Sequence, residues 1–152
     1  MVISVADPEQ KKRITADILS ALPEWFGIPE STQEYIDNNA ELPFWAEELD
    51  GSPIGFIALR ETGKRTAEIY VMGVRPEYHR GGVGQRLFSV LYDYCKEHGY
   101  AFLQVKTVDA GCYAEYDRTR LFYEHMGFTK FEVFPELWDK QNPCLVMVMN
   151  VK

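Results

Sequence analysis

Three glycines within four residues, Gly81, Gly82 and Gly84, stand between a strand pattern and a helix pattern and constrain what the middle of this chain can become. Ahead of them, the stretch from Ala67 to Val74 alternates, with Ala67, Ile69, Val71 and Gly73 on one face and Glu68, Tyr70, Met72 and Val74 on the other. Pro76 ends that strand, because proline has no N–H for a sheet ladder and biases Arg75 toward extended backbone. Behind the glycines, Val83, Leu87, Val90, Leu91 and Tyr94 recur at helical spacing, and Gly99 follows His98 as a C-cap. A helix start leaves N–H groups unpaired at the positive end of the macrodipole, so a glycine-lined one accepts an anion without a dedicated side chain. The nucleotide P-loop is excluded, since Gly84 is followed by Gln85 and Arg86 where Lys and Ser or Thr are needed. The dinucleotide fingerprint is excluded too, since its third glycine would fall on Leu87. The residues themselves leave two readings, a diphosphate cradle and a plain left-handed turn between strand and helix.

At 152 residues, the chain is expected to form a single domain spanning 1–152 with a sizeable core. A net charge of −7 and a pI near 5.0 disfavour a sequence-independent grip on nucleic acid or on an anionic membrane. The local exception is a basic group around the glycines, Arg75, His79, Arg80 and Arg86, which is placed to meet phosphates. No signal peptide or membrane span is read from the sequence. Cys95, Cys112 and Cys144 are odd in number and lack metal-like spacing, so reduced thiols in a cytoplasmic protein are expected.

The first strand is expected at Val2 to Val5. Asp7-Pro8 then reads as an N-cap with proline at the first helical position, ahead of Ile14, Ile18 and Leu22. Ser31 and Glu34 predict a capping box for a second helix. Phe44 to Glu48 and Ile54 to Glu61 read as a hairpin joined through Asp50-Gly51. Tyr100 to Val108 returns as a strand parallel to the one ending at Val74. A loop over residues 109 to 116 precedes a helix capped by Asp117 and ended by Gly127. Two more strands follow, Thr129 to Phe134 and Leu145 to Val151, the second apolar nearly throughout, as a strand covered on both faces would be.

With these elements in place, the loop resembles the acyl-CoA pyrophosphate loop of the GNAT acetyltransferase superfamily. That pattern, Arg/Gln-x-x-Gly-x-Gly/Ala after a strand ending Val-x-Pro, falls here on His79, Gly82 and Gly84, with His79 departing from the usual residue. Downstream, the segment from Thr119 to Phe128 resembles the Phe-Tyr-x-x-x-Gly-Phe end of the family's fourth helix, with Tyr123 at the usual tyrosine. Tyr116 replaces an asparagine often found there, which removes whatever pantetheine contact that asparagine would make. The resemblance implies an α/β GNAT fold, a mixed, mostly antiparallel sheet with a splayed parallel pair and flanking helices, the pantetheine arm lying in the splay. It implies acetyl-CoA as cosubstrate and no metal, with Met72, Gly73, Val74, His79, Arg80, Gly81, Gly82, Val83, Gly84, Gln85, Tyr116 and Phe122 around it. The implied partner is a small-molecule amine, with no nucleic acid or membrane, and the resemblance leaves room for a homodimer.

Acetyl transfer to an amine needs a neutral amine, a stabilised oxyanion and help for the departing thiolate. An alkylamine of pKa about 10.4 is neutral in only about one part in 2,500 at pH 7, a cost of roughly 4.6 kcal/mol, whereas an α-amino group costs only about 1 kcal/mol. Glu68, on the face of Tyr70, Met72 and Val74, is the candidate base, matching a glutamate that serves so in the histone acetyltransferase branch; the alternative is a solvated strand glutamate. Glu115 and Asp109 are weaker candidates, and a water chain is a further route. Tyr123 is the candidate acid, acting as a hydrogen-bond donor to the sulfur, against the alternative of a core aromatic beside Phe122 and Met126. The oxyanion donor is expected among the N–H groups of Met72 to Val74, with Gly73 marking a bulge. No cysteine has a histidine at nucleophile–base spacing, and His98 and His125 fit helix ends better than catalysis. Trp25, Phe26, Trp45 and Tyr70, with Phe134 and Trp138, are the candidate acceptor-binding rings. A non-catalytic acyl-CoA sensor and a protein lysine or N-terminal acetyltransferase are the rival functions.

Overall fold

Proline and capping chemistry set the first elements. Strand β1 (Val2–Ser4) is followed by helix α1 (Pro8–Ser20), whose N-cap Asp7 accepts the Gln10 N–H at 3.0 Å with Pro8 at the first position. Helix α2 (Pro29–Asn39) also starts on a proline, and its N-cap is Ile28. The Ser31 capping box is therefore corrected: Pro29 fixes the helical backbone two residues earlier, and Ser31 and Glu34 lie inside the helix. The chain continues through β2 (Phe44–Leu49), β3 (Ser52–Gly63), β4 (Thr66–Val74), a 3-10 turn at Pro76–Tyr78, α3 (Val83–Glu97), β5 (Phe102–Val108), α4 (Ala114–Met126), β6 (Thr129–Asp139) and β7 (Asn142–Asn150). The computed structural model describes residues 1–109, 113–139 and 141–152, so Cys112 and part of the loop expected before α4 lie outside the described residues.

The strands order as β1-β2-β3-β4-β5-β7-β6. The β4–β5 pair is parallel, and β1–β2, β2–β3, β5–β7 and β7–β6 are antiparallel. The parallel register runs from Thr66 opposite Phe102 to Ile69 opposite Val105. By their contacts the residues form two compact units, Met1–Arg60 with Tyr70–Tyr94, and Glu61–Ile69 with Cys95–Lys152.

In the first unit, alternation along β2 sorts side chains between two helices. Phe44 and Ala46 join Ile14, Ile18, Leu19 and Leu22 in one core with Phe56, Ala58 and Val71. Trp45 and Glu47 face the other way, Trp45 edge-on to Tyr94 of α3 at 5.2 Å and Glu47 on Arg86 of the same helix. Gly73 lies beneath α1, where a Cβ would come within 3.1 Å of both Ile18 and Leu22. The close approach of Ile18 and Leu22 is by itself a reason for glycine at this position.

In the second unit, β7 lies between β5 and β6, and its run Cys144 to Met147 is buried on both faces, as its unbroken apolar sequence demands. All eleven residues of the edge strand β6 are exposed. The expected Asp117 cap is corrected, since α4 begins at Ala114 with Tyr113 at the N-cap, and Asp117 in its first turn instead takes Arg120 Nη2 at 2.6 Å. Among the described residues, no helix is long and apolar enough to cross a membrane.

Candidate functional site

The glycine loop belongs to the first unit, where β4, the 3-10 turn and α3 hold it. His79 and Arg80 are exposed, and Arg80 takes φ 68°, a left-handed conformation in a side-chain-bearing residue that the sequence did not signal. Gly82 follows at φ 84°, and a Cβ on it would meet Arg86 Nη1 at 2.8 Å. The first intrahelical bond is Arg86 N–H to Gly82 C=O at 3.0 Å. Val83, Gly84 and Gln85 therefore supply the N–H groups that a helix cannot satisfy for itself. Such a start, with Gly81 exposed beside it, presents backbone donors of the kind that suit an anion.

The basic group around the loop is smaller than its sequence suggests. Arg75 forms an ion pair with Asp17 of α1 and donates Nε to the Pro53 carbonyl at 3.0 Å. Arg86 binds Glu47 through two contacts, Nε at 2.8 Å and Nη2 at 2.6 Å, and places Nη1 3.2 Å from the Gly81 carbonyl. Those hydrogen bonds hold Glu47 below the usual carboxylate range and raise Arg86 in turn. His79 turns back to the strand end: its Nε2 lies 2.7 Å from the Val74 carbonyl, which requires the proton on that nitrogen, and its ring stands edge-on to Trp25 at 5.9 Å. Two of the four basic residues are thus committed to carboxylates.

The same unit gathers most of the expected acceptor rings. Phe26 packs edge-on to Tyr35 at 5.8 Å, and Tyr35 edge-on to Tyr70 at 5.2 Å. Asn38 donates Nδ2 to the Tyr70 hydroxyl at 2.8 Å, and the Arg60 guanidinium lies 4.6 Å from the Tyr70 ring centre. Trp45 does not join them; it is buried on the α3 face of β2 against Tyr94. Tyr35, Asn38 and Arg60 were not anticipated. Tyr35 was detectable from its place on the same α2 face as Asn38 and Asn39, whereas Arg60 shows itself only once β3 and β4 are placed.

The second unit holds the two residues with expected proton chemistry. Glu68 is buried, and its carboxylate receives Lys106 Nζ at 2.9 and 3.2 Å and Gln104 Nε2 at 3.5 Å. The solvated-glutamate alternative is therefore excluded. The register explains the cluster: Glu68 stands opposite Gln104, and Lys106 is the next residue on that face of β5. Tyr123 on α4 is buried between Phe122 at 5.5 Å and Phe128 at 5.6 Å, both edge-on. Tyr116 lies one helical stretch earlier beside Tyr113, at 5.9 Å. Phe134 and Trp138 sit on exposed β6.

Cys95 and Cys144 are buried, and burial pushes both thiols up to about 11, which leaves them protonated and poor nucleophiles at neutral pH. Among the described residues, no group of three or more His, Cys, Asp or Glu is placed to hold a metal ion.

The sequence matches the profile described as the Acetyltransferase (GNAT) family over residues 12–128. Mycothiol acetyltransferase of Streptomyces griseus is 33% identical over a stretch covering 67% of this chain and 34% of that protein, so the chain spans about a third of that relative's length. A crystal structure of a GNAT-family protein from Desulfovibrio desulfuricans is similar at a TM-score of 0.85 with 18% identity, covering 100% of this chain and 99% of that one. An aminoglycoside 6′-N-acetyltransferase complexed with coenzyme A gives 0.80 with 17% identity, covering 100% and 97%. At these identities the likeness is one of fold.

Proposed function

The chain belongs to the GNAT acetyltransferase family, and from that premise we propose that it moves the acetyl group of acetyl-CoA to a primary amine of a small molecule by direct attack in a ternary complex. In the first unit, the N–H groups of Val83, Gly84 and Gln85 at the start of α3 bind the donor diphosphate, and Gly81 and Gly82 let it approach the backbone. The amine nitrogen attacks the thioester carbonyl carbon, the C–S bond breaks with its electron pair staying on sulfur, and the products are an amide and CoA thiolate, which takes a proton from water to become the thiol. The role proposed for Tyr123 is to donate a hydrogen bond to the leaving sulfur. Full proton transfer from a phenol near pKa 10 to a thiolate of about 8.5 is uphill, so stabilisation of the thiolate is the role assigned. Glu68, oriented by Lys106, takes the amine proton directly or through water.

The observation that supports a small acceptor is the half-buried aromatic series Phe26, Tyr35 and Tyr70, with Asn38 on its hydroxyl end and Arg60 against its last ring. Rings in such a series bind a compact organic amine through area and leave the polar atoms to orient it. The test is an acceptor screen over polyamines, aminoglycosides, amino acids and lysine peptides, followed by release of CoA thiol. Turnover with a small amine supports the proposal. Turnover with peptides alone makes the chain a protein acetyltransferase, and CoA binding with no turnover makes it a sensor.

A further inference from the structure

We propose that Glu47, which lies outside the loop, sets the loop's grip on the donor diphosphate by acting through Arg86. This inference rests on the donor-binding reading above. Glu47 comes from β2, and alternation turns it toward α3 next to Trp45. Its side chain is almost fully buried, while that of Arg86 is half exposed, so the carboxylate is the fixed half of the pair and the guanidinium the adjustable one.

The guanidinium is planar with its donors at fixed angles. Once Nε and Nη2 are on Glu47, the direction of Nη1 is no longer free, and it points at the Gly81 carbonyl, 3.2 Å away. A trans peptide carries its C=O and the following N–H on opposite sides. Holding the Gly81 carbonyl toward Arg86 therefore turns the Gly82 N–H away from the arginine and adds it to the row of N–H groups that opens α3. Glycine on both sides of that peptide would otherwise let the plane turn over at little cost. Glu47 is thus a positioning residue: it locks one peptide plane in the donor loop and keeps Arg86 from occupying the anion's place.

Calorimetry with CoA, and NMR titration with pantetheine, which lacks the diphosphate, test this on the full chain. Glu47→Gln keeps the shape and removes the charge; we expect its Kd for CoA to rise roughly tenfold, as for a lost charge-assisted hydrogen bond. Pantetheine binding should stay at the wild-type level, which a general loosening of the fold would not allow. Arg86→Lys, which keeps the charge and loses the fork, should weaken CoA to a similar extent and stands in if Glu47→Gln fails to fold. Unchanged or tighter CoA binding in these variants, or equal loss for both ligands, overturns the inference. Wild-type protein that binds no CoA overturns the donor reading, and this inference with it.

Discussion

The roles proposed for Tyr123 and Glu68 rest on different surroundings, and their substitutions should separate accordingly. Tyr123 is clamped between two rings, so Tyr123→Phe keeps the packing and removes only the hydroxyl. Steady-state kinetics should show kcat down roughly ten- to hundredfold with CoA affinity unchanged; unchanged kcat removes the tyrosine from the chemistry. Glu68→Gln should lower kcat/KM by about two orders of magnitude, and rescue by a less basic amine would identify proton removal as the lost step. Gly82 supplies a third case. With φ 84° and Arg86 Nη1 at 2.8 Å from a Cβ, Gly82→Ala should cost roughly 1–2 kcal/mol of stability in denaturant titration and weaken CoA. The glycine requirement was legible in the sequence, because three glycines at a strand-to-helix junction allow few other purposes. The partners were not: Lys106 reaches Glu68 only through a parallel register, and Asp17 reaches Arg75 across many residues, neither of which a local pattern encodes.

Elements with a strong period were the legible ones. The alternation of β4, the apolar run of β7 and the helical spacing of α3 each carry their own signature, and each appears where expected. Helix starts proved harder, since Ser31 and Asp117 both have good capping chemistry and both lie inside a first turn that Pro29 or Tyr113 had already opened. Gly73 shows the same limit within a strand, because a bulge and a helix pressed against the backbone both ask for glycine. The packing reading makes its own prediction. Gly73→Ala would put a methyl 3.1 Å from Ile18 and Leu22, and thermal or chemical unfolding should register a loss of about 1–3 kcal/mol from the α1 core. A substitution tolerated without loss would show that α1 can slide.

For the molecule as a whole, the acidic balance of −7 concealed how few of its cations are at liberty near the loop. Charge counting identified the basic group correctly and its availability wrongly, because ion pairs depend on contacts that composition does not record. The Glu47–Arg86 pair also gives stability a pH dependence. Arg86 holds the folded Glu47 below its unfolded value of about 4.3, so the stabilisation is complete above that value and disappears as pH falls through the lowered one. The melting-temperature gap between wild type and Glu47→Gln should accordingly be constant near neutrality and close on acidification below about pH 4. The two buried thiols have a practical consequence of another kind. With Cys95 and Cys144 both raised to about 11, an aromatic disulfide reagent at pH 8 should leave them unlabelled in the native chain, as peptide mass spectrometry would verify. The colour from that reagent in a continuous turnover assay then carries no rising background from these two side chains, and a Cys112→Ser chain would remove the remaining protein thiol from the signal.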